Sequence, residues 1–379
     1  MQNLMPDIDA ALKKENFALA LYLFRNSPPD WQSKAEGKAA FKSICLGFGL
    51  SENFRLTHQA VNGSRYHLIP AWGYGFWSDV HHVVIQATLA EFLGRKPIVY
   101  WGNNSLYRDP IEESNAFEQF FEPVGAQAQE LLRTHSDFYP PIWRLADLQH
   151  GERAKWRGPF SKLAAPWFFQ RSESVTVAEF YTPLCDLLPW IHPDDPLSQL
   201  DENALYRRAF SRYAKPLNHF VAAAETFEQQ HLQSGAWAAV HVRGTDKLRE
   251  TPNLEFTLGL THHTLERLIS NEPNLRIFLM TDSIPLLTHF HQRYANRLLV
   301  TNSTRRDDVQ GVHTVGDNGR KLGSEMLIET LIALRCHYFV GSMESNVALA
   351  ISSLKDWPDS RIFLYGTQPV RGPNPFLYQ

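Results

Sequence analysis

The chain has 379 residues, long enough for about two domains with substantial cores. Its 44% hydrophobic and 20% charged residues describe a globular protein rather than a disordered or fibrous one. Lys plus Arg number 37 against 40 Asp plus Glu, a formal charge of −3, so there is no general electrostatic footprint for nucleic acid and an anionic ligand needs a local site.

The first segment, residues 7 to 25, places Ile8, Leu12, Phe17, Leu21 and Phe24 at helical spacing, and "NSPPDW" ends it with two prolines. It lacks the basic start, apolar run and small-residue cleavage site of a signal peptide, and no stretch of the chain reaches the roughly 18 to 20 apolar residues of a membrane span. The expectation is a cytoplasmic protein. "YHLIPAWG" (66 to 73) and "PIVYW" (97 to 101) read as strands on either side of a helix, "SDVHHVVIQATLAEFLG", capped by Ser78 and stopped by Gly94. This is a βαβ unit with a glycine-rich entry, "GYGFW".

Residues 105 to 200 are rich in Pro, Trp and Phe and weakly periodic, which predicts loops and short helices. Their tryptophans, Trp143, Trp156, Trp167 and Trp190, suit a core better than a sugar-stacking surface. One longer helix is expected over about 202 to 234. Strands then recur as "WAAVHVR", "LRIFLMT", "RLLVT", "HYFVGS" and "RIFLYG", separated mostly by helical patterns such as "SEMLIETLIAL". Apolar strands alternating with helices predict parallel sheets covered on both faces.

Ligands of open parallel sheets bind beyond the carboxyl ends of the strands. Four polar clusters fall at such ends in the second half: "HVRGTDK", "TDS", "TNSTRRDD" and "GSMESN". Arg243 offers bidentate hydrogen bonds and Lys247 a point charge to a diphosphate, and Ser342 and Ser345 offer hydroxyl and N–H donors. The same residues also fit plainer roles, an Arg243–Asp246 salt bridge closing a turn and ordinary helix caps at the serines. No GxxxxGK[ST], GxSxG or HExxH pattern occurs. The three widely spaced cysteines and the doublets His81-His82 and His262-His263 give no metal-ligand spacing.

"HVRGTDK", "FLMTDS" and "LIETLIALRCHYFVGSMESNVALAIS" resemble, in order and spacing, the three donor-site motifs of the α1,6-fucosyltransferases, within a superfamily that also holds α1,2- and protein O-fucosyltransferases. "GYGFWSDVHHVVIQATLAEFLGRKPIVYW" is similar to that family's glycine-rich loop, helix and strand. The resemblance implies an α/β fold of the GT-B type, two Rossmann-like domains facing a central cleft. In that arrangement residues 1–40 are a helical lead, 41–230 an acceptor-side domain and 231–379 the nucleotide-sugar-binding domain.

It further implies an inverting, metal-independent transfer of L-fucose from GDP-fucose to a hydroxyl of a glycan or peptide, with no cofactor beyond the donor substrate. Arg243 matches the arginine on the donor phosphates, His241 and Glu329 the residues on the guanosine, Ser345 a phosphate contact, and Asp282 the first of an acidic pair beside the nucleotide. Gly73, Gly75 and Phe76 match the loop that approaches the sugar diphosphate. The sequence departs from the pattern at Gly244, where the family commonly has a second arginine, and at Ser283, where the acidic pair is lost. It departs again at Thr251, which falls where the general base is expected. Glu250 is then the candidate base, with Asp246 as runner-up. These departures keep two alternatives open: another nucleotide-deoxyhexose donor, or a nucleotide-sugar-binding protein without turnover.

Overall fold

The computed structural model describes residues 5–59, 64–109, 115–125, 130, 133–134, 137–141, 143, 165–178, 184–244, 254–307 and 318–366. Two all-parallel sheets organise the chain. The first has the strand order β2 (Lys96–Tyr100), β1 (Tyr66–Pro70), β4 (Val175–Val177), β3 (Phe138–Tyr139). The second runs β7 (Leu298–Leu299), β6 (Arg276–Met280), β5 (Trp237–His241), β8 (Tyr338–Ser342), β9 (Ile362–Tyr365).

Helices of nine or more residues are α1 (Met5–Lys13), α2 (Phe17–Arg25), α3 (Ala35–Gly47), α4 (Phe76–Phe92), α5 (Glu202–Tyr213), α6 (Asn218–His231), α7 (Leu254–Asn271), α8 (Ile284–Tyr294), α9 (Gly319–Ala333) and α10 (Asn346–Leu354). Among the described residues no helix is long and apolar enough to cross a membrane.

Successive strand residues point to opposite faces, and here both faces are covered. Ile69, Val99, Ala239, Phe278 and Phe339 belong to one large core that also takes in Ile8, Leu21 and Phe24 from the first two helices. Their neighbours Leu68 and Ile98, and Ala238, Ile277 and Val340, form two separate clusters on the outer faces. Trp143 and Trp190 are buried and Trp167 packs against the large core, in keeping with the core reading of these side chains; Trp156 lies outside the described residues.

Several local expectations are corrected. The lead is two helices, because Asn16 Oδ1 accepts a hydrogen bond from Leu19 N (3.2 Å) and starts a new helix after Glu15. The helix expected over 202 to 234 is broken into α5 and α6 at "AKPL", where Pro216 offers no N–H. α4 begins at Phe76 with Gly75 as its N-cap, so Ser78 lies inside the helix rather than capping it. The middle section also contributes β3 and β4. At two and three residues they are too short to show an alternating pattern, and they are set by pairing, β4 to β1 as in Tyr66↔Val175 and β3 to β4 as in Phe138↔Val175.

In the second sheet, the first strand in the chain, β5, sits centrally, with β6 and β7 on one side and β8 and β9 on the other. The chain therefore changes direction between β5 and β8. In such sheets, the crevice beyond that junction is where ligands bind.

Candidate functional site

The carboxyl ends of β5 and β6 and the start of α10 meet the amino end of α4 at a cleft with about 820 Å³ of empty space, part of it open to solvent. Its lining combines the apolar side chains Phe76, Trp77, Tyr107, Leu322, Met326 and Val347 with the polar His241, Arg243, Asp282, Ser303, Thr304, Glu325 and Glu329. His241 and Arg243 also border an adjoining recess of about 440 Å³, together with Thr257, Thr261, Ser342 and Ser345.

Most of the residues singled out in the sequence thus converge. Gly75, Phe76, His241, Arg243, Asp282 and Glu329 line the cleft, and Ser342 and Ser345 line the recess beside it. Gly73 stands behind the cleft wall. Its φ of +69° suits glycine, and its N–H donates to Asp79 Oδ2 at 3.1 Å. Asp246, Lys247, Glu250 and Thr251 lie outside the described residues.

β5 delivers His241 to the cleft in register with Met280 of β6. The imidazole is buried, and its Nδ1 has no hydrogen-bond partner among the described residues. Burial, with a smaller contribution from the Arg243 charge, pushes its pKa down to about 3, so it is a neutral ring near pH 7. Arg243 Nε lies 3.7 Å from Asp282 Oδ2, and Gly244 N donates to Asp282 Oδ1 at 2.9 Å. Asp282, at the end of β6, therefore steers the strand end that carries the arginine.

Gly244 is packed tightly. A Cβ there would lie 2.3 Å from Leu286 Cδ1 and 2.8 Å from Ser283 Cβ, at the start of α8. This backbone approach leaves no room for a side chain where the resembling family carries a second arginine.

Glu329 projects from α9 into the cleft and is 5% exposed. Burial raises its pKa; hydrogen bonds from Thr301 and Ser303 and the Arg305 charge pull the other way. The Thr301 hydroxyl donates to Oε1. Four residues earlier on the same helix, Glu325 accepts from Thr304 N (2.9 Å) and Oγ1 (3.1 Å) and faces Lys321 Nζ at 3.6 Å. Glu325 is thus committed to holding the loop after β7.

Ser345 is the N-cap residue of α10, yet its Oγ makes no capping bond and, although 3% exposed, has no partner among the described residues. Capping does not account for this hydroxyl. With the free N–H groups of the helix start beside it, it forms an anion-binding arrangement next to Arg243. Ser342, by contrast, accepts from Glu344 N at 3.2 Å and shapes the turn.

Sequence reasoning missed Asp79. This fully buried carboxylate accepts from Trp72 N (3.1 Å), Gly73 N (3.1 Å) and Tyr74 N (3.4 Å), and so fixes the glycine-rich loop at the cleft edge. The available signal was an acid in the first turn of the helix that follows the glycine-rich stretch. Among the described residues, no group of three or more His, Cys, Asp or Glu side chains is arranged to hold a metal ion.

No family model matches the chain, and no curated protein matches it in sequence. Similarity appears in three dimensions. A crystal structure of the NodZ α-1,6-fucosyltransferase soaked with GDP-fucose matches with a TM-score of 0.50 at 16% identity, covering 77% of this chain and 93% of that one. The fucosyltransferase NodZ from Bradyrhizobium matches at 0.45, with 18% identity over 73% and 88% of the two chains. POFUT1 in complex with GDP matches at 0.43, with 13% identity over 81% and 100%. The first of these likenesses bears on fold: the chain has the GT-B-like architecture, two parallel α/β sheets facing a central cleft.

Proposed function

We propose that the chain is a glycosyltransferase that moves L-fucose from GDP-fucose to a hydroxyl of a glycan or peptide, inverting the anomeric centre without a metal ion. The observation that carries the reading is the pair of buried polar atoms, His241 Nδ1 and Ser345 Oγ, that have no partner among the described residues at the junction of β5 and β8. Burying such atoms without partners costs about 1 to 3 kcal/mol each, a cost that a bound ligand offsets. Arg243 beside them and Glu329 across the cleft suit a guanosine diphosphate. The arginine and the α10 N–H groups receive the phosphates, and the Glu329 carboxylate accepts from the N1–H and N2–H₂ edge of guanine. The GDP-fucose soaked into the NodZ crystal is the corresponding donor.

In this mechanism, a base takes the proton of the acceptor hydroxyl as its oxygen attacks C1 of the sugar from the face opposite the diphosphate. The C1–O bond breaks, and its electron pair leaves with GDP. Arg243 and the helix start stabilise the charge that develops on the leaving group, a task for preorganised donors. Glu250, between β5 and α7 in the sequence, remains the candidate base.

A calorimetric panel of GDP, UDP and dTDP, followed by GDP release from GDP-fucose in the presence of oligosaccharide and peptide acceptors, tests the reading. Selective GDP binding with acceptor-dependent release is expected. Equal affinity for the three nucleotides overturns it, and GDP binding without transfer to any acceptor reassigns the chain as a nucleotide-sugar-binding protein.

A further inference from the structure

Trp77 and His81 are four residues apart on α4 and so project from the same face of that helix. Each crosses to the opposite sheet unit with one hydrogen bond. Trp77 Nε1–H donates to Thr330 Oγ1 at 3.0 Å, and Thr330 directly follows Glu329. His81 Nε2 lies 3.0 Å from the main-chain oxygen of Asn346, which directly follows Ser345.

A carbonyl oxygen only accepts, so Nε2 carries the proton of the neutral ring. Nδ1 then presents its lone pair to the Tyr206 hydroxyl of α5, 2.7 Å away. Trp77, His81, Tyr206 and Thr330 are all buried.

One face of α4 is therefore bonded beside both residues assigned to the nucleotide: the base-facing carboxylate on α9 and the phosphate-facing hydroxyl at the start of α10. The same helix presents Gly75 and Phe76 to the cleft. Apolar contact alone would bury this face as well, but would leave α9 and α10 able to slide along it. Directional bonds to Thr330 and Asn346 fix their axial positions.

We infer that Trp77 and His81 are positioning residues that set the spacing between Glu329 and Ser345, and that Tyr206 selects the His81 tautomer that bonds α10. The inference rests on the reading of the cleft as a GDP site and deepens it. It assigns the distance between the base contact and the phosphate contact to a helix of the other sheet unit.

The test is a double-substitution cycle read by GDP calorimetry, combining His81→Leu and Ser345→Ala singly and together, with Tyr206→Phe and His81→Gln as companions. His81→Leu is expected to weaken GDP about tenfold, the scale of a typical coupling between sites. In its background, Ser345→Ala should cost less than it does in the parent, because the hydroxyl is no longer held in place. Tyr206→Phe should shift affinity in the same direction by less, and His81→Gln, which keeps an N–H donor, should recover part of the loss.

Equal Ser345→Ala penalties in both backgrounds overturn the inference, as does unchanged GDP affinity in folded His81→Leu protein. If His81→Leu does not fold, the cycle runs with Tyr206→Phe, which removes a single hydroxyl, and the same two outcomes decide. Wild-type protein that binds no GDP refutes the donor reading itself, a result distinct from either.

Discussion

Glu329→Gln separates the two consequences of placing a carboxyl in the cleft. In the proposed complex the carboxylate accepts two N–H bonds from guanine. The amide keeps one acceptor and sets an NH₂ group against a guanine donor. Hydrogen bonds to a charged group contribute about 1.5 to 3 kcal/mol, so losing one weakens GDP by roughly tenfold to 150-fold at about 1.4 kcal/mol per tenfold. Inosine diphosphate, which lacks the 2-amino donor, should lose affinity for the wild type and show a much smaller difference from GDP in the variant.

The free protein responds in the opposite sense. Burial raises the Glu329 pKa, so the folded state holds its proton at pH values where the unfolded chain, near 4.3, has released it. The associated stability is fully present below the unfolded pKa and is lost as pH rises through the raised folded value. Wild-type protein should therefore gain thermal stability relative to Glu329→Gln as pH falls from neutral, while GDP affinity falls as the carboxylate is protonated. Calorimetry and thermal melts between pH 5 and 8 read both. Unchanged GDP affinity in the variant, or wild-type indifference between GDP and inosine diphosphate, refutes the guanine assignment.

Three further outcomes are expected. Ser345→Ala should weaken GDP without lowering the melting temperature, because the Oγ makes no capping bond whose loss would otherwise cost about 1 kcal/mol; equal losses of stability and affinity would return the residue to a capping role. Gly244→Ala should destabilise the protein by about 1 to 3 kcal/mol in denaturant melts, since its Cβ would meet Leu286 and Ser283, and Leu286→Ala in the same chain should recover part of it. Glu91→Ala should cost about 3 to 5 kcal/mol by leaving Arg208 and Arg212, now 2.9 and 3.1 Å from its buried carboxylate, without their counter-ion; a loss under 1 kcal/mol would show that water compensates them.

The second sheet was legible because each of its strands is an apolar run closed by polar residues, and the crevice followed from the strand-end rule. The first sheet was half legible. β1 and β2 carry five residues each, whereas β3 and β4 are short segments whose conformation comes from pairing, β4 with β1 and β3 with β4, rather than from their own pattern. His241, Arg243 and Glu329 were readable from motif and placement. Ser345 was identified, but that its hydroxyl lacks a capping bond is a matter of rotamer and could not be read from sequence. Asp79, Trp77 and His81 went unrecognised because their partners are hydrogen-bonding groups of loops and helices up to 265 residues away, and helical periodicity records only that a face is buried.

Gly244 shows how a missing charge can be a packing decision. At the strand end the chain brings backbone against α8, where the Gly244 N–H and the Arg243 side chain share the Asp282 carboxylate. An arginine at 244 would have to displace Leu286 and Ser283 before its charge could reach the cleft, so introducing one here should cost stability rather than add a phosphate contact. Some buried polar groups remote from the cleft are bonded within the protein. His67 is bonded to Thr176 and Gln86, and Arg95 reaches the carbonyls of Tyr66, Arg171 and Glu173. At the crevice, His241 Nδ1 and Ser345 Oγ are buried without such partners among the described residues, beside Arg243 and the glycine that follows it. In the proposed complex, with no cation at 244, the serine hydroxyl and the α10 N–H groups are what complete the contacts that Arg243 makes to the diphosphate. Donor affinity should accordingly depend on Ser345 and on the placement of α10 at least as strongly as on Arg243.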